Sequence, residues 1–185
     1  SILAWSVAVI SFDNSTLLEA LSSASMRSIL HFNSQDLSNP AWSFARLSVC
    51  DAPLLSSLSS AAIRNIRHFR AKELSSFAWA FATLGVEEQP LLAALRARGA
   101  PAATRCDSQV LSNMVWSCAR LGFRDGPLLA AISEASIRRL RDFAPQGLSI
   151  TAWSFAQLAV RHAPLMDAIA AQSIQTGGAR AGARA

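Results

Sequence analysis

Side chains able to do covalent or metal chemistry are few in this chain of 185 residues, and they are scattered. Cys50, Cys106 and Cys118 are an odd number with no CxxC spacing, and His31, His68 and His162 do not cluster with them. Such a set supplies neither a disulfide framework nor a tetrahedral zinc site, and it reads as reduced, buried thiols. There is no GxSxG, no glycine-rich phosphate loop and no HExxH. Glu87 and Glu88 adjoin in a turn, where carboxylates are solvated and favoured near a helix N-terminus. Cys118 precedes Ala119 and Arg120 but stands where other parts of the chain carry Phe, so it is expected to be a buried, inert thiol. The sequence therefore predicts no enzyme, no metal, no cofactor and no small-molecule substrate.

Noncovalent recognition has more to stand on. Short polar side chains recur in four sets: Asn39, Ser43 and Arg46; Ser76 and Thr83, with Ala80 between; Asn113, Ser117 and Arg120; Ser154 and Gln157, with Ile150 ahead of them. Within a set the spacing is i, i+4, i+7, which places them on one face of a helix. Stacked, they form a ladder of hydrogen-bonding groups of the kind that meets base edges. Ile150, Ile2 and Val9 interrupt it. A second set is cationic: Arg64, Arg67 and Arg70, then Arg138, Arg139 and Arg141, with Arg27 earlier. Cations late in a helix complement its dipole, and in this number they are candidates for phosphate contacts. The net charge of +5, with Lys72 the single lysine among 17 basic residues, fits a polyanionic partner or an acidic protein surface.

The elements that must position these groups follow from one periodicity. Trp5, Trp42, Trp79, Trp116 and Trp153 are separated by 37 residues each time. LSNPAWSFARLSV, LSSFAWAFATLGV, LSNMVWSCARLGF and LSITAWSFAQLAV superimpose, as do APLLSSL, QPLLAAL, GPLLAAI and APLMDAI. A strict period of this length means a repeat array. Counted from the leucine five positions before each Trp, the units run 37–73, 74–110, 111–147 and 148–184, after an incomplete unit at 1–36. Each begins with a helix of roughly twelve residues that closes near Gly85 or Gly122. Pro53, Pro90, Pro127 and Pro164, with Thr16 in the first unit, then open a second helix of about sixteen residues. Its apolar stripe reads Leu54, Leu55, Leu58, Ala62, Ile66 and Phe69 in one unit and Leu128, Leu129, Ile132, Ile137, Leu140 and Phe143 in another.

The predicted fold is all-α: an α-solenoid of five helix-turn-helix repeats of 37 residues, ten helices in antiparallel pairs, over a single domain at 1–176, with a Gly/Ala/Arg tail at 177–185. With 51% apolar residues the chain can fill such a core, and it has no uninterrupted apolar run long enough to span a membrane. The tryptophans and Phe44, Phe81 and Phe155 are assigned to the core, the indoles buried between successive units; the competing use of a tryptophan is as a platform for stacked bases. In the third unit, RARGAPAATRCDS places Gly99 and Pro101 inside the second helix. The expectation is a helix that stops near Arg98, a loop to the fourth unit and a bend there.

LSNPAWSFARLSV followed by a Pro-Leu-Leu helix, with endings such as HFRAKEL and DFAPQGL, resembles the octotricopeptide-type repeats of organellar RNA-binding proteins, relatives in action of the pentatricopeptide arrays. The resemblance covers all five units and implies single-stranded RNA binding in RNA stabilisation, processing, translation or ribosome assembly. It implies that the first helices carry the recognition residues, and a mitochondrial or chloroplast location after removal of a targeting segment. No such segment is visible in the opening SILAWSVAVISF, and no RAP domain accompanies the repeats, so no nuclease-like activity carries over. The alternative is a protein-interaction scaffold using the same concave face.

Overall fold

The computed structural model describes residues 15–182, with side chains described to residue 175. Among the described residues there are nine α-helices and no strand: α1 (Ser15–Ser28), α2 (Ser34–Arg46), α3 (Ala52–Arg64), α4 (Ala71–Leu84), α5 (Gln89–Ala103), α6 (Ser108–Arg120), α7 (Gly126–Arg138), α8 (Pro145–Gln157) and α9 (Ala163–Gly182). The expected tenth helix, with Trp5, Ile2 and Val9, falls outside the described residues. The helical backbone of α9 continues past residue 177.

The helices form two layers. In one, α2 packs on α4, α4 on α6 and α6 on α8; in the other, α1 packs on α3, α3 on α5, α5 on α7 and α7 on α9. Every contact of this kind joins equivalent helices of successive units, the pattern of an α-solenoid. Between the layers lie the repeated core positions. Leu37, Leu74, Leu111 and Leu148 and then Phe44, Phe81, Cys118 and Phe155 come from one layer; Leu54, Leu91, Leu128 and Leu165 come from the other, and all are buried.

The termini of the helices explain the regularity. Asp51, Asp107 and Asp125 accept from the N–H of Leu54, Val110 and Leu128 at 3.0, 2.8 and 3.0 Å, and Asn33 with Asp36 forms a reciprocal capping box. The helices of the first layer start three residues before the leucines, so the 37–73 frame cuts each of them inside its first turn. Pro53, Pro90 and Pro127 sit at the second helical position, still within the first turn where proline is tolerated. At the other end, α2, α4, α6 and α8 close with one and the same motif. The amides of Val49, Val86, Phe123 and Val160 donate to the carbonyls of Phe44, Phe81, Cys118 and Phe155 at 2.9, 3.0, 2.8 and 3.1 Å. The residue before each amide is left-handed: Ser48, Gly85, Gly122 and Ala159, with φ of 57°, 68°, 61° and 53°.

Neighbouring helices of the first layer are also tied by hydroxyls. Ser38, Ser75 and Ser112, all buried, donate to the carbonyls of Glu73, Val110 and Gly147 at 3.3, 3.2 and 3.3 Å, the same bond repeated unit after unit. A side chain this small lets the helices approach while satisfying its own hydroxyl.

The third unit corrects its sequence reading. Helix α5 runs without interruption through Gly99 and Pro101 to Ala103, whereas α3 and α7 end at the equivalents of Pro101 and pass into 3-10 turns at Ile66–His68 and Leu140–Asp142. Pro101 is exposed and lies in the last turn, where a missing N–H costs one hydrogen bond and no tertiary packing. Gly99 is buried, and a Cβ there would stand 2.8 Å from Leu128 Cδ1. Any side chain at this position would push the Leu128 side chain aside, so the glycine lets α7 pack closely here despite its poor helix propensity of about 1 kcal/mol.

Candidate nucleic-acid interface

On the first-layer helices the core is made by positions such as Leu37, Ala41, Phe44 and Ala45, all 2% exposed or less. At about 100° per residue, a residue five beyond the leucine points about 140° away from it. That is the place of the tryptophans. Trp42, Trp79 and Trp116 are half-buried, Trp79 and Trp116 with one side packed against the core, and Trp153 is 47% exposed, so the expectation of fully buried indoles holds only in part. The phenylalanines two residues further on are the buried aromatics, as expected.

The indoles line one face of the solenoid. Trp79 and Trp116 have ring centroids 6.4 Å apart with their planes 30° from parallel, and the guanidinium of Arg46 lies 5.7 Å from the ring centre of Trp42. Clefts open between successive helices along this face. One of about 260 Å³ is bounded by Trp42, Arg46, Ser76, Trp79, Gln109 and Asn113. Another, about 580 Å³, includes Gln35, Asn39, Trp42, Arg70, Lys72 and Ser76; a third, about 410 Å³, includes Gln109, Asn113, Gln146 and Ile150.

The predicted ladder divides on this geometry. Asn39, Ser76 and Asn113 border the clefts, Thr83 is half-buried, and Arg46, Arg120 and Gln157 are exposed. Ser43, Ser117 and Ser154 are buried, and each hydroxyl donates to the carbonyl four residues earlier, on Asn39, Asn113 and Ile150, at 2.7 Å. Pointing toward the neighbouring helix and already satisfied, they are not presented to a ligand. A position absent from the sequence reading joins the clefts instead: Gln35, Lys72, Gln109 and Gln146, two residues before each leucine and all exposed. The signal was present as a long polar side chain at a fixed place in every unit.

Of the arginines, Arg64, Arg67, Arg70, Arg138 and Arg141 are exposed and Arg139 is half-buried. Arg70 meets Glu73 at 3.1 Å, Arg138 meets Glu134 at 3.8 Å and Arg139 meets Asp142 at 4.0 Å. Such surface pairs are weak and exchange readily for a phosphate. The thiols are placed at odds with one expectation: Cys106 and Cys118 are buried, but Cys50 is exposed. Burial raises the Cys118 thiol to about 12 and that of Cys106 to about 11, with a smaller contribution from Asp125 and Asp107 respectively. No group of His, Cys, Asp and Glu side chains with the makings of a metal site occurs among the described residues. No helix among them is long and apolar enough to cross a membrane.

The partly exposed indoles, the polar clefts and the basic balance are features of a nucleic-acid-binding surface, and the comparison with known families agrees in kind. The model of the RNA-editing substrate-binding complex 6 proteins, RESC6, matches residues 1–126. The chain belongs to the RESC6 family. Membership in RESC6 replaces the octotricopeptide-type assignment: what carries over from that resemblance is an RNA-associated helical protein, not its repeat family. No curated protein matches the chain.

Proposed function

We propose that this chain binds single-stranded RNA along the tryptophan face of its solenoid, as a non-catalytic component of an RNA-editing substrate complex in an organelle. The observation that carries the reading is the recurrence of Trp42, Trp79, Trp116 and Trp153 at a constant step of 37 residues, none of them fully buried, with polar clefts beside Trp42 and Trp79. Every base has a π-face, so indoles accept stacked bases of any identity, at about 1–3 kcal/mol each. Asn39, Ser76, Asn113 and the glutamines then supply hydrogen bonds to base edges exposed on an unpaired strand. Exposed arginines add contacts to phosphates that carry no sequence information. The RESC6 family name supports both an RNA substrate and protein neighbours in a complex.

The test is fluorescence anisotropy with a labelled single-stranded RNA, paired with quenching of the intrinsic tryptophan emission. Trp79→Ala with Trp116→Ala should weaken binding about thirtyfold or more, a loss of about 2 kcal/mol at the low end for two stacked bases, while the thermal transition stays cooperative. Wild-type protein that leaves the emission and the anisotropy unchanged at low salt would give the face to a protein partner instead, the scaffold reading.

A further inference from the structure

The third unit departs from its neighbours at three linked positions. Where the second and fourth units have the buried alanines Ala61 and Ala135, it has Arg98; where they have Ile66 and Leu140, it has Ala103; where they have the buried rings Phe69 and Phe143, it has Cys106. Two large apolar side chains are thus removed from the junction and a cation is inserted beside the space. The outcome is a cavity of about 740 Å³ between the second and third units, bordered by Arg67, Arg70, Lys72, Arg98, Arg105 and Cys106. Its size is within the roughly 300–1,000 Å³ of pockets that hold small ligands.

The charge of this cavity is not balanced from within. Arg67, Lys72, Arg98 and Arg105 enter no ion pair among the described residues, and Arg70 is paired with Glu73. Asp107 is the acidic side chain on the border, and one of its oxygens already caps α6 through the Val110 amide. The Nε of Arg98 is buried without a hydrogen-bond partner. A buried guanidinium N–H left unpaired is costly, and an anion with several acceptor oxygens removes that cost while neutralising the surrounding cations. Arg70 and Lys72 also border the cleft that holds Trp42, Asn39 and Ser76, so the cavity lies beside that cleft.

We propose that this cavity is a phosphate-binding site, which takes a backbone phosphate of single-stranded RNA where the strand leaves the Trp42 cleft. The location within the strand rests on the RNA reading above; the affinity for phosphate does not. Arg98 from α5 and Arg105 from the turn that follows it supply charge-assisted hydrogen bonds, and Arg67, Arg70 and Lys72 close the site from the preceding unit.

The experiment compares wild-type chain with Arg98→Ala plus Arg105→Ala, and with the control Arg124→Ala plus Arg161→Ala, exposed arginines in the turns at the opposite ends of the helices. Alanine is the residue of the neighbouring units at position 98, so the first variant should melt like the wild type. Binding of a labelled single-stranded RNA is measured from 50 to 200 mM salt, and binding of inorganic tripolyphosphate by calorimetry. Loss of that one phosphate contact should make the fall in RNA affinity over that range about 2.6-fold smaller, since each phosphate neutralised on a single strand contributes about 0.7 to the logarithmic slope; the control should keep the wild-type slope to within half of that difference. Tripolyphosphate should bind the wild type and the control but not the Arg98/Arg105 variant. If RNA fails to bind but tripolyphosphate binds in this pattern, the cavity stands and the RNA reading falls. If the variant and the control behave alike with both probes, the cavity is not a phosphate site.

Discussion

Two aromatic positions two residues apart have opposite roles, and the difference is rotational. Phe155 is fully buried between the layers whereas Trp153 keeps 47% of its surface in solvent. Phe155→Ala should therefore cost about 3–5 kcal/mol through lost burial and a cavity, and Trp153→Ala less than about 2 kcal/mol, in urea unfolding followed by circular dichroism. Equal losses would return the indole to the core. The sequence carried the recurrence of the tryptophans but grouped them with the leucines five residues earlier, an offset that turns the side chain away from the core. The buried Ser43, Ser117 and Ser154 were misplaced for a related reason: i+4 from Asn39 is a neighbour along the helix, but the adjacent helix covers that side. The thiols give a second test at this scale. Cys118 and Cys106 hold their protons to about 12 and 11, above the ordinary value of 9.0, because burial penalises the thiolate. Below pH 9 both states keep the proton and stability is unaffected; from there toward 11 and 12 the unfolded chain ionises first, so these groups draw stability down as pH rises. A thiol reagent at pH 8 should modify Cys50 promptly and the other two only as fast as the chain unfolds.

At the scale of the element, the four left-handed closures form a natural experiment. Ser48 in the second unit and Ala159 in the fifth occupy the backbone conformation that Gly85 and Gly122 occupy in the third and fourth. A side chain in that conformation costs about 1 kcal/mol relative to glycine. Ser48→Gly and Ala159→Gly should each raise stability by up to about 1 kcal/mol, and Gly85→Ala and Gly122→Ala should lower it by a similar amount. Nothing stands within 4 Å of a Cβ added at Gly85 or Gly122, so packing does not confuse the comparison. If all four substitutions left the denaturation midpoint in place, strain in the closures would not be part of the energetics. The closures were legible in advance because glycine and the following apolar residue recur in the strings LGV and LGF. Helix α5 was not. Local propensity condemned Gly99, while the reason for it lies in Leu128 on another helix, 29 residues along the chain. The start of each first-layer helix was missed by three residues because Asn33, Arg70, Asp107 and Ala144, which precede them, share no common residue type.

For the whole molecule, equivalence of the junctions means that a unit can be removed without creating a new kind of contact. Deleting 108–144, the stretch containing α6 and α7, joins Asp107 to Pro145 in register. Asp107 would then cap α8 through the amide of Gly147, as it caps α6 through Val110, and the Ser75 hydroxyl would meet the carbonyl of Gly147 in place of that of Val110. Gly99 would face Leu165, the buried counterpart of Leu128. Since stability in such arrays is close to a sum of units and nearest-neighbour interfaces, the shortened chain should fold cooperatively with a lower midpoint. It would keep the Arg98 cavity and lose one indole, so Trp79 would stand next to Trp153. On the proposed mode of binding, RNA affinity should fall by the contribution of one stacked base, about 1–3 kcal/mol, and the required oligonucleotide length should shorten. Circular dichroism melting and anisotropy against RNAs of graded length measure both quantities. A shortened chain that is helical but binds RNA as tightly as the parent would show that recognition is confined to part of the face; one that does not fold would show that the junctions, despite their identical hydrogen bonds, are not interchangeable.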